Sequence, residues 1–355
     1  MSIDRRAEKN VARSASVSRA LVLERMGEPL RLVERPVPTP GRGQIIVRNL
    51  ATSINFHDVL NLQGVMPNVA WPRVPFSDNC GQIVAVGADC GGFRVGERVI
   101  ANFFPDWLDG EPQPRYCDIV FGDQIDGFLQ DHTVVDARSL VRAPPHLSAV
   151  EAATLPCAGL TAWRSVAVEA RVQPGHVVVI QGTGGVALFA LQFAKLYGAE
   201  VILISSSDEK LEFGRKLGAD HTHNYRQNPA WDQRVLEITC GLGADLVVEV
   251  GGADTLARSI NATKLNGHVS VIGVRSGFGM TAAIAVEPIL IRNLTLRGIT
   301  VGNVRQLEAM CRAMELHDIH PVVDRRFPFS NVEGAVALMQ EQTHLGKIAI
   351  DIADS

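Results

Sequence analysis

Apolar residues follow two different rhythms along the chain. From about residue 19 to residue 145 they come in short runs, 20–23, 44–51, 82–86 and 98–101. Gly and Pro punctuation such as Pro38-Thr39-Pro40-Gly41 and Gly91-Gly92 separates the runs. This spacing predicts a β-rich, barrel-like unit. From Glu151 the rhythm changes to strand–helix alternation, the pattern of a parallel sheet with helical crossovers. Strands are expected at 176–181, 200–204, 221–225, 245–250, 268–272 and 294–299. Helices are expected from the glycine turn at 182–187 to Leu196, from a capping box at Ser206-Ser207-Asp208-Glu209 to Leu217, and over 232–239 and 304–316. A helix over 332–339 and a strand over 346–352 close the chain. The segment 102–127 has Phe, Trp, Asp, Gly and Pro without periodicity and is long for a loop, which marks it as a lid or an interface. Residues 1–18 are rich in Arg, Ser and Ala and read as a disordered tail; Asp4 and Glu8 argue against a transit peptide.

The sharpest local signal is the run from His176 to Gln181 into Gly182-Thr183-Gly184-Gly185-Val186-Ala187, with an apolar helix and a second strand behind it. Strand, glycine turn, helix and strand together make a dinucleotide-binding fingerprint. Gly182 permits the tight turn, Gly184 lets the backbone approach a pyrophosphate, and Ala187 lets helix and strand pack closely. The helix N-terminus offers its unpaired N–H groups to the phosphates. The strand ends Val250-Gly251-Gly252 and Ile272-Gly273-Val274 are expected along the same carboxyl edge of the sheet, so Val250, Gly273 and Val274 join the candidate cofactor contacts.

Bulk properties narrow the class. A chain of 355 residues exceeds what one core usually organises, so two domains are expected. Hydrophobic residues make up 46% and charged residues 20%, as in an ordinary globule, and the net charge of -4 favours neither nucleic acid nor a membrane surface as partner. No run is long and apolar enough to span a bilayer. The six cysteines, Cys80, Cys90, Cys117, Cys157, Cys240 and Cys311, are scattered without a C-x-x-C pair. They predict neither a disulfide framework nor a four-cysteine metal lobe, and a cytoplasmic, reducing location fits.

Several motifs in order give the chain its resemblance: Gly81-Gln82-Ile83-Val84-Ala85-Val86-Gly87, Val95-Gly96-Glu97-Arg98-Val99, Leu155-Pro156-Cys157-Ala158-Gly159-Leu160-Thr161-Ala162-Trp163, the glycine turn, Lys216-Leu217-Gly218-Ala219-Asp220 and Gly346-Lys347. Over about residues 19–352 the chain resembles the medium-chain dehydrogenase/reductases, the superfamily of quinone oxidoreductases and alcohol dehydrogenases. The resemblance implies an α/β fold with a GroES-like barrel domain (19–150, completed by 305–355) and a Rossmann domain with a doubly wound parallel sheet (151–304). It also implies an active site in the cleft between them, Thr161 under or near the nicotinamide, and a homodimer joined through the strand at 294–299.

Zinc members of the superfamily bind their catalytic metal at positions that fall here on Asn55, Ser77 and Cys157. Asn and Ser are poor zinc ligands, and one thiolate cannot build a tetrahedral site. The expectation is an enzyme without zinc; a substitute site of Cys157 with Asp78 or His57 is the alternative. His221-Thr222-His223 and His317-Asp318-Ile319-His320 read as exposed or satisfied histidines, because no acidic or cysteine partner is visible in the sequence.

Without a metal, hydrogen-bond donors must absorb the charge that hydride transfer puts on a substrate oxygen. Asn55 is a candidate donor. His57 falls where alcohol dehydrogenases have the Ser or Thr of the proton relay, and its ordinary pKa near 6.5 suits proton delivery. Asp58 either orients His57 or caps the following turn. Leu60 stands where quinone oxidoreductases often have Tyr, which weakens a quinone assignment. As for the cofactor, NAD enzymes place an acid about 20 residues after the glycine turn. Here the strand ends in Ile204-Ser205-Ser206-Ser207. Ser205 and Ser206 accommodate a 2′-phosphate that an acid would repel, and Lys210 and Tyr225 match phosphate contacts of NADPH-dependent quinone oxidoreductases. These residues favour NADP(H) and a small carbonyl, quinone or enone substrate. The alternatives are a zinc alcohol dehydrogenase with altered ligands and an NADPH-binding sensor or partner-binding protein with little catalysis.

Overall fold

The computed structural model describes residues 17–66, 69–273, 275–277 and 279–353. Most of the expected tail, and Val274, lie outside them. β1 (Val17–Val22) begins inside the segment expected to be tail and pairs antiparallel with β2 (Arg31–Pro36), a strand whose charged alternation hides it from an apolar search.

β3 (Gln44–Ile54), β4 (Cys80–Val86), β5 (Arg98–Ala101), β6 (His132–Asp136) and β7 (Leu140–Arg142) build the barrel unit. The second unit contains β8 (Val177–Gln181), β9 (Glu200–Ser205), β10 (His221–Asn224), β11 (Ala244–Glu249), β12 (Thr263–Val271) and β13 (Thr295–Gly298). These six strands run parallel in the order β10-β9-β8-β11-β12-β13, the doubly wound arrangement whose order reverses between β8 and β11. Their central positions, such as Val178–Ile180 and Val201–Leu203, are fully buried, as expected for a sheet covered on both faces. The chain then returns to the barrel, where β14 (Val323–Pro328) pairs with β15 (Lys347–Asp351) and β15 pairs antiparallel with β3. The barrel sheet is seven-stranded, in the order β14-β15-β3-β4-β5-β7 with β6 also on β3.

Two local expectations shift. The helix after β9 is Asp208–Lys216, capped by Ser207, whose hydroxyl accepts from the Lys210 N–H. The capping box expected on Ser206 and Glu209 is therefore displaced by one residue. The segment 102–127 is a packed intrachain interface. Trp107 is fully buried, and its carbonyl accepts the Val304 N–H at 3.0 Å. The Arg164 guanidinium lies over the Trp107 ring, and Asn102 donates to the Gly302 carbonyl at 3.3 Å. Its aromatics have no period because they anchor to another element, the segment around 301–306.

Candidate active site

The site grows from the end of β3. The helix Phe56–Leu62 starts at Asn55, and the Asp58 carboxylate reaches back to accept the Asn55 N–H at 2.7 Å. The other Asp58 oxygen accepts the Ser77 N–H at 3.2 Å and the Ser77 hydroxyl at 3.3 Å. Asp58 thus caps its own helix and ties it to the segment before β4. No hydrogen bond joins it to His57, so of the two roles open to it the structure selects the cap. Burial pushes its carboxyl up to about 6; the His57 charge pulls it down and Asp78 pushes it further up.

Asp78, fully buried, organises the centre. One oxygen accepts from the Ser53 hydroxyl, from Asn55 Nδ2 at 2.8 Å and from Lys347 Nζ at 3.2 Å. The other accepts the Cys157 N–H at 2.9 Å. Lys347, the first residue of β15, also donates to the Ile54 carbonyl at 3.0 Å and to Asn55 Oδ1. Its side chain is 3% exposed. The same lysine touches the glycine turn: a Cβ on Gly185 would stand 2.6 Å from its Cδ, and Gly346 N–H donates to the Thr183 carbonyl at 2.8 Å. Gly185 therefore lets the glycine turn and the barrel's closing strand approach closely, while a Cβ on Gly346 would collide with the Val322 carbonyl.

Cys157 sits in a wide helical turn, Leu155–Gly159, where the Leu160 N–H reaches back five residues to Leu155. Such turns recur at functional sites. Burial pushes the Cys157 thiol well above its ordinary value, and Asp78 adds to the effect. Buried Thr161 donates to the Cys157 carbonyl at 2.7 Å.

His57, the second residue of the helix Phe56–Leu62, has a different partner from the adjacent Asp58. Its Nε2 lies 2.9 Å from Asp123 Oδ2 and 3.1 Å from Oδ1. Since the carboxylate only accepts, Nε2 is assigned the proton. Asn61 Nδ2 donates to the same carboxylate. Phe103 meets the imidazole edge-on, with centroids 5.3 Å apart. Burial lowers the His57 pKa, but the hydrogen bond and charge of Asp123, with the charges of Asp58 and Asp78, more than offset it, and the net shift is upward. Asp123 comes from the aperiodic segment, and nothing in its sequence surroundings marked it.

At the sheet edge, Gly182 has a φ of +79°, Gly184 has open space where a Cβ would be, and a Cβ on Gly273 would collide with the Val250 carbonyl at 1.8 Å. Thr183 and the N-cap Gly184 lead into the helix Gly185–Leu196, whose first residues are Gly185 and Val186, at the switch point beside β8. Buried Glu249 locks the neighbouring strand ends. It accepts from Gln181 Nε2 at 2.8 Å, from the N–H groups of Gly251 and Gly252 at 2.7 and 2.9 Å, and from the Thr255 hydroxyl at 2.6 Å. Beyond β9, Ser205 is buried and its carbonyl accepts the Tyr225 N–H at 3.1 Å. Burial raises the Tyr225 pKa, but hydrogen bonds to Arg275 and Ser206 turn the net shift downward. Lys210 donates to the carbonyls of Gln342 and His344 at 3.3 and 3.2 Å and feels the Arg275 charge. Asp208 is held away by Asn224 Nδ2 and Gln227 Nε2, at 2.8 and 2.7 Å. Arg275 is the member of this cluster that sequence reading missed.

At the positions where zinc would be held, the Ser77 hydroxyl donates to Asp58, Asn55 Oδ1 accepts from the Lys347 ammonium, and burial pushes the Cys157 thiol up. His57, Asp78 and Cys157 are not gathered into a ligand cluster. Among the described residues the group with ligand atoms mutually within 4.8 Å is His146, Asp318 and His320, elsewhere in the fold.

Residues 41–145 match the alcohol dehydrogenase GroES-like domain and residues 185–316 the zinc-binding dehydrogenase domain. A zinc-type alcohol dehydrogenase-like protein of Schizosaccharomyces pombe is 43% identical, over 87% of this chain and 91% of its own. An acryloyl-coenzyme A reductase of Sulfurisphaera tokodaii is 24% identical, over 94% of this chain and 99% of its own. A solved structure from Sinorhizobium meliloti superposes with a TM-score of 0.90 at 41% identity, covering 95% of this chain and 99% of that one. The GroES-like barrel, the doubly wound sheet with its glycine turn and these relatives together make this chain an oxidoreductase of the medium-chain dehydrogenase/reductase superfamily.

Proposed function

We propose that the chain is an NADPH-dependent, zinc-independent reductase of small carbonyl or α,β-unsaturated carbonyl compounds. The observation that carries this reading is the buried Lys347 ammonium on Asn55 and Asp78, at the positions equivalent to a metal centre. A dication there would have to displace the Lys347 ammonium from Asp78 and Asn55, and would find one thiol and two neutral side chains at the ligand positions, a donor set that does not fit tetrahedral zinc. Around the 2′ position of the adenosine ribose the chain would offer Ser206, Tyr225, Lys210 and Arg275, with Asp208 tied off. That set attracts a phosphate, and no carboxylate at the strand tip repels it.

The bound nicotinamide would supply the hydride. This chain's residues supply orientation and a proton. The N–H groups at Thr183–Val186 would hold the pyrophosphate. The second amide hydrogen of Asn55, whose first goes to Asp78, is fixed by Lys347 and would donate to the substrate oxygen. His57, held by Asp123 through Nε2–H, would in its imidazolium form deliver the second proton from Nδ1 and be left as the neutral Nε2–H tautomer; Nδ1 has no hydrogen-bond partner among the described residues. Asp58 would act only by fixing the helix that carries His57.

The test combines metal analysis with turnover. Purified protein is expected to hold no stoichiometric zinc at the cleft, to retain activity after chelation, and to prefer NADPH to NADH with an enone, aldehyde or enoyl thioester. Activity that disappears on chelation and returns with zinc would overturn the reading. We also propose a homodimer formed through β13. This strand is an end of the sheet, and Val286, Leu290 and Ile291 beside it are 70%, 73% and 63% exposed.

A further inference from the structure

The motif His317-Asp318-Ile319-His320, which the active site does not use, acquires partners in three dimensions. The chain crosses between its two units twice. The first crossing, between β7 and the helix Ala149–Ala152, carries His146; Glu151 lies in that helix. The second, between the helix Val304–Leu316 and β14, carries Asp318 and His320. Folding puts the two crossings side by side. His146, Asp318 and His320 each offer one ligand atom, and these lie within 4.8 Å of one another. The imidazoles of His146 and His320 stand nearly perpendicular at 89°, with centroids 5.2 Å apart.

The hydrogen bonds around the two rings are those a metal-binding histidine needs. His146 Nε2 lies 3.2 Å from the Ile319 carbonyl, which can only accept, so Nε2 bears the proton and Nδ1 bears the lone pair. That Nδ1 is buried and has no hydrogen-bond partner. His320 Nδ1 lies 2.7 Å from Glu151 Oε1, and its Nε2 lies 3.5 Å from Asp318 Oδ1. One ring nitrogen on a carbonyl or carboxylate, with the other directed to a ligand, is the arrangement that fixes tautomer and orientation in metal sites. The backbone is fixed as well: Gln192 Nε2 donates to the His320 carbonyl at 2.7 Å, and the Ile319 N–H to the Met314 carbonyl at 3.0 Å. A buried imidazole nitrogen without a partner is costly unless something occupies it.

We propose that His146, Asp318 and His320 form a site for a divalent transition ion of the zinc class, oriented by Ile319 and Glu151, that clasps the two inter-unit crossings. Two imidazoles and one carboxylate select zinc, nickel or copper over calcium or magnesium. The fourth position falls to water. Ligand atoms in tetrahedral zinc are about 3.4 Å apart, so Asp318 and His320, both exposed, need only small rotations to close on the ion. The ion has no part in hydride transfer. It would restrain the opening of one unit against the other.

Full-length protein stripped with chelator and titrated with zinc chloride in a calorimeter tests this. One site is expected, with a rise in melting temperature on zinc addition. His320→Gln and Asp318→Asn, both exposed and tolerable to the fold, should each weaken zinc binding at least about tenfold, and Glu151→Gln by a smaller factor. Cys157→Ser should leave it unchanged. Absence of zinc binding by the wild type would overturn the proposal. So would binding that survives both His320→Gln and Asp318→Asn, or that disappears in Cys157→Ser. Circular dichroism and NADPH binding of each variant separate loss of the site from loss of the fold.

Discussion

Replacing Lys347 by Met removes one charge from a pair in which Asp78 is fully buried and the lysine side chain is 3% exposed. The methionine fills most of the same volume, so the loss is electrostatic. Breaking a buried ion pair by removing one partner costs about 3–5 kcal/mol, because the remaining charge is uncompensated. Asp78 keeps three donors, the Ser53 hydroxyl, Asn55 Nδ2 and the Cys157 N–H. The expected loss is therefore at the low end, about 3 kcal/mol. That is a large share of the stability of an ordinary globular protein. Urea unfolding followed by circular dichroism and by tryptophan fluorescence measures it. The double variant Lys347→Met/Asp78→Asn, which neutralises the stranded carboxylate, should recover more than half of the loss. Activity should fall in both variants, because Asn55 Oδ1 loses the ammonium that fixes its amide. A loss under about 1 kcal/mol, or no recovery on neutralising Asp78, would show that the pair is not coupled as described and would remove the main support for a lysine-filled centre.

Three further outcomes follow from the same geometry. Asp123 raises the His57 pKa, so protonated His57 should persist above its ordinary value and kcat/KM should fall as pH rises through the raised pKa; Asp123→Asn should move that alkaline limb to lower pH and cut kcat/KM about 10- to 100-fold, with both read from a pH–rate profile. By the same sign, the stability that the His57–Asp123 pair contributes is fully present below the unfolded histidine's pKa and is lost as pH rises through the raised one. Ser206→Asp puts a carboxylate beside Tyr225 and Arg275, and steady-state kinetics should show NADPH kcat/KM falling at least about tenfold while NADH holds or improves; an unchanged ratio would place the 2′ contacts elsewhere. If the proposed dimer forms through β13, light scattering should show wild type as a dimer and Leu290→Asp, on a 73% exposed residue in the helix before that strand, as a monomer; a monomeric wild type, or a variant that stays dimeric, would refute that interface.

What the amino-acid order determined by itself is local. The glycine turn, the alternation after Glu151 and the apolar runs of the barrel were legible because strand and helix periods, and the φ of +79° at Gly182, are set by near neighbours in the chain. The strand tip without an acid at Ser205 and Ser206 was legible for the same reason. The candidate site was only half visible. Asn55 and His57 stood out, but what holds them came from far away. Asp123 meets His57 across 66 residues and Lys347 meets Asn55 across 292. Asp58, adjacent to His57 in sequence, faces instead toward its helix cap and Ser77, because successive residues at a helix start point in different directions. Arg275 at the nucleotide edge, Glu249 beneath it and His146 beside His320 were invisible on similar grounds. Ionic and hydrogen-bonded partners across tens or hundreds of residues have no period to read. Only the closure of β15 onto β3 decided that Lys347 and Asp78 are buried together, and only the meeting of the two crossings put His146 beside Asp318 and His320.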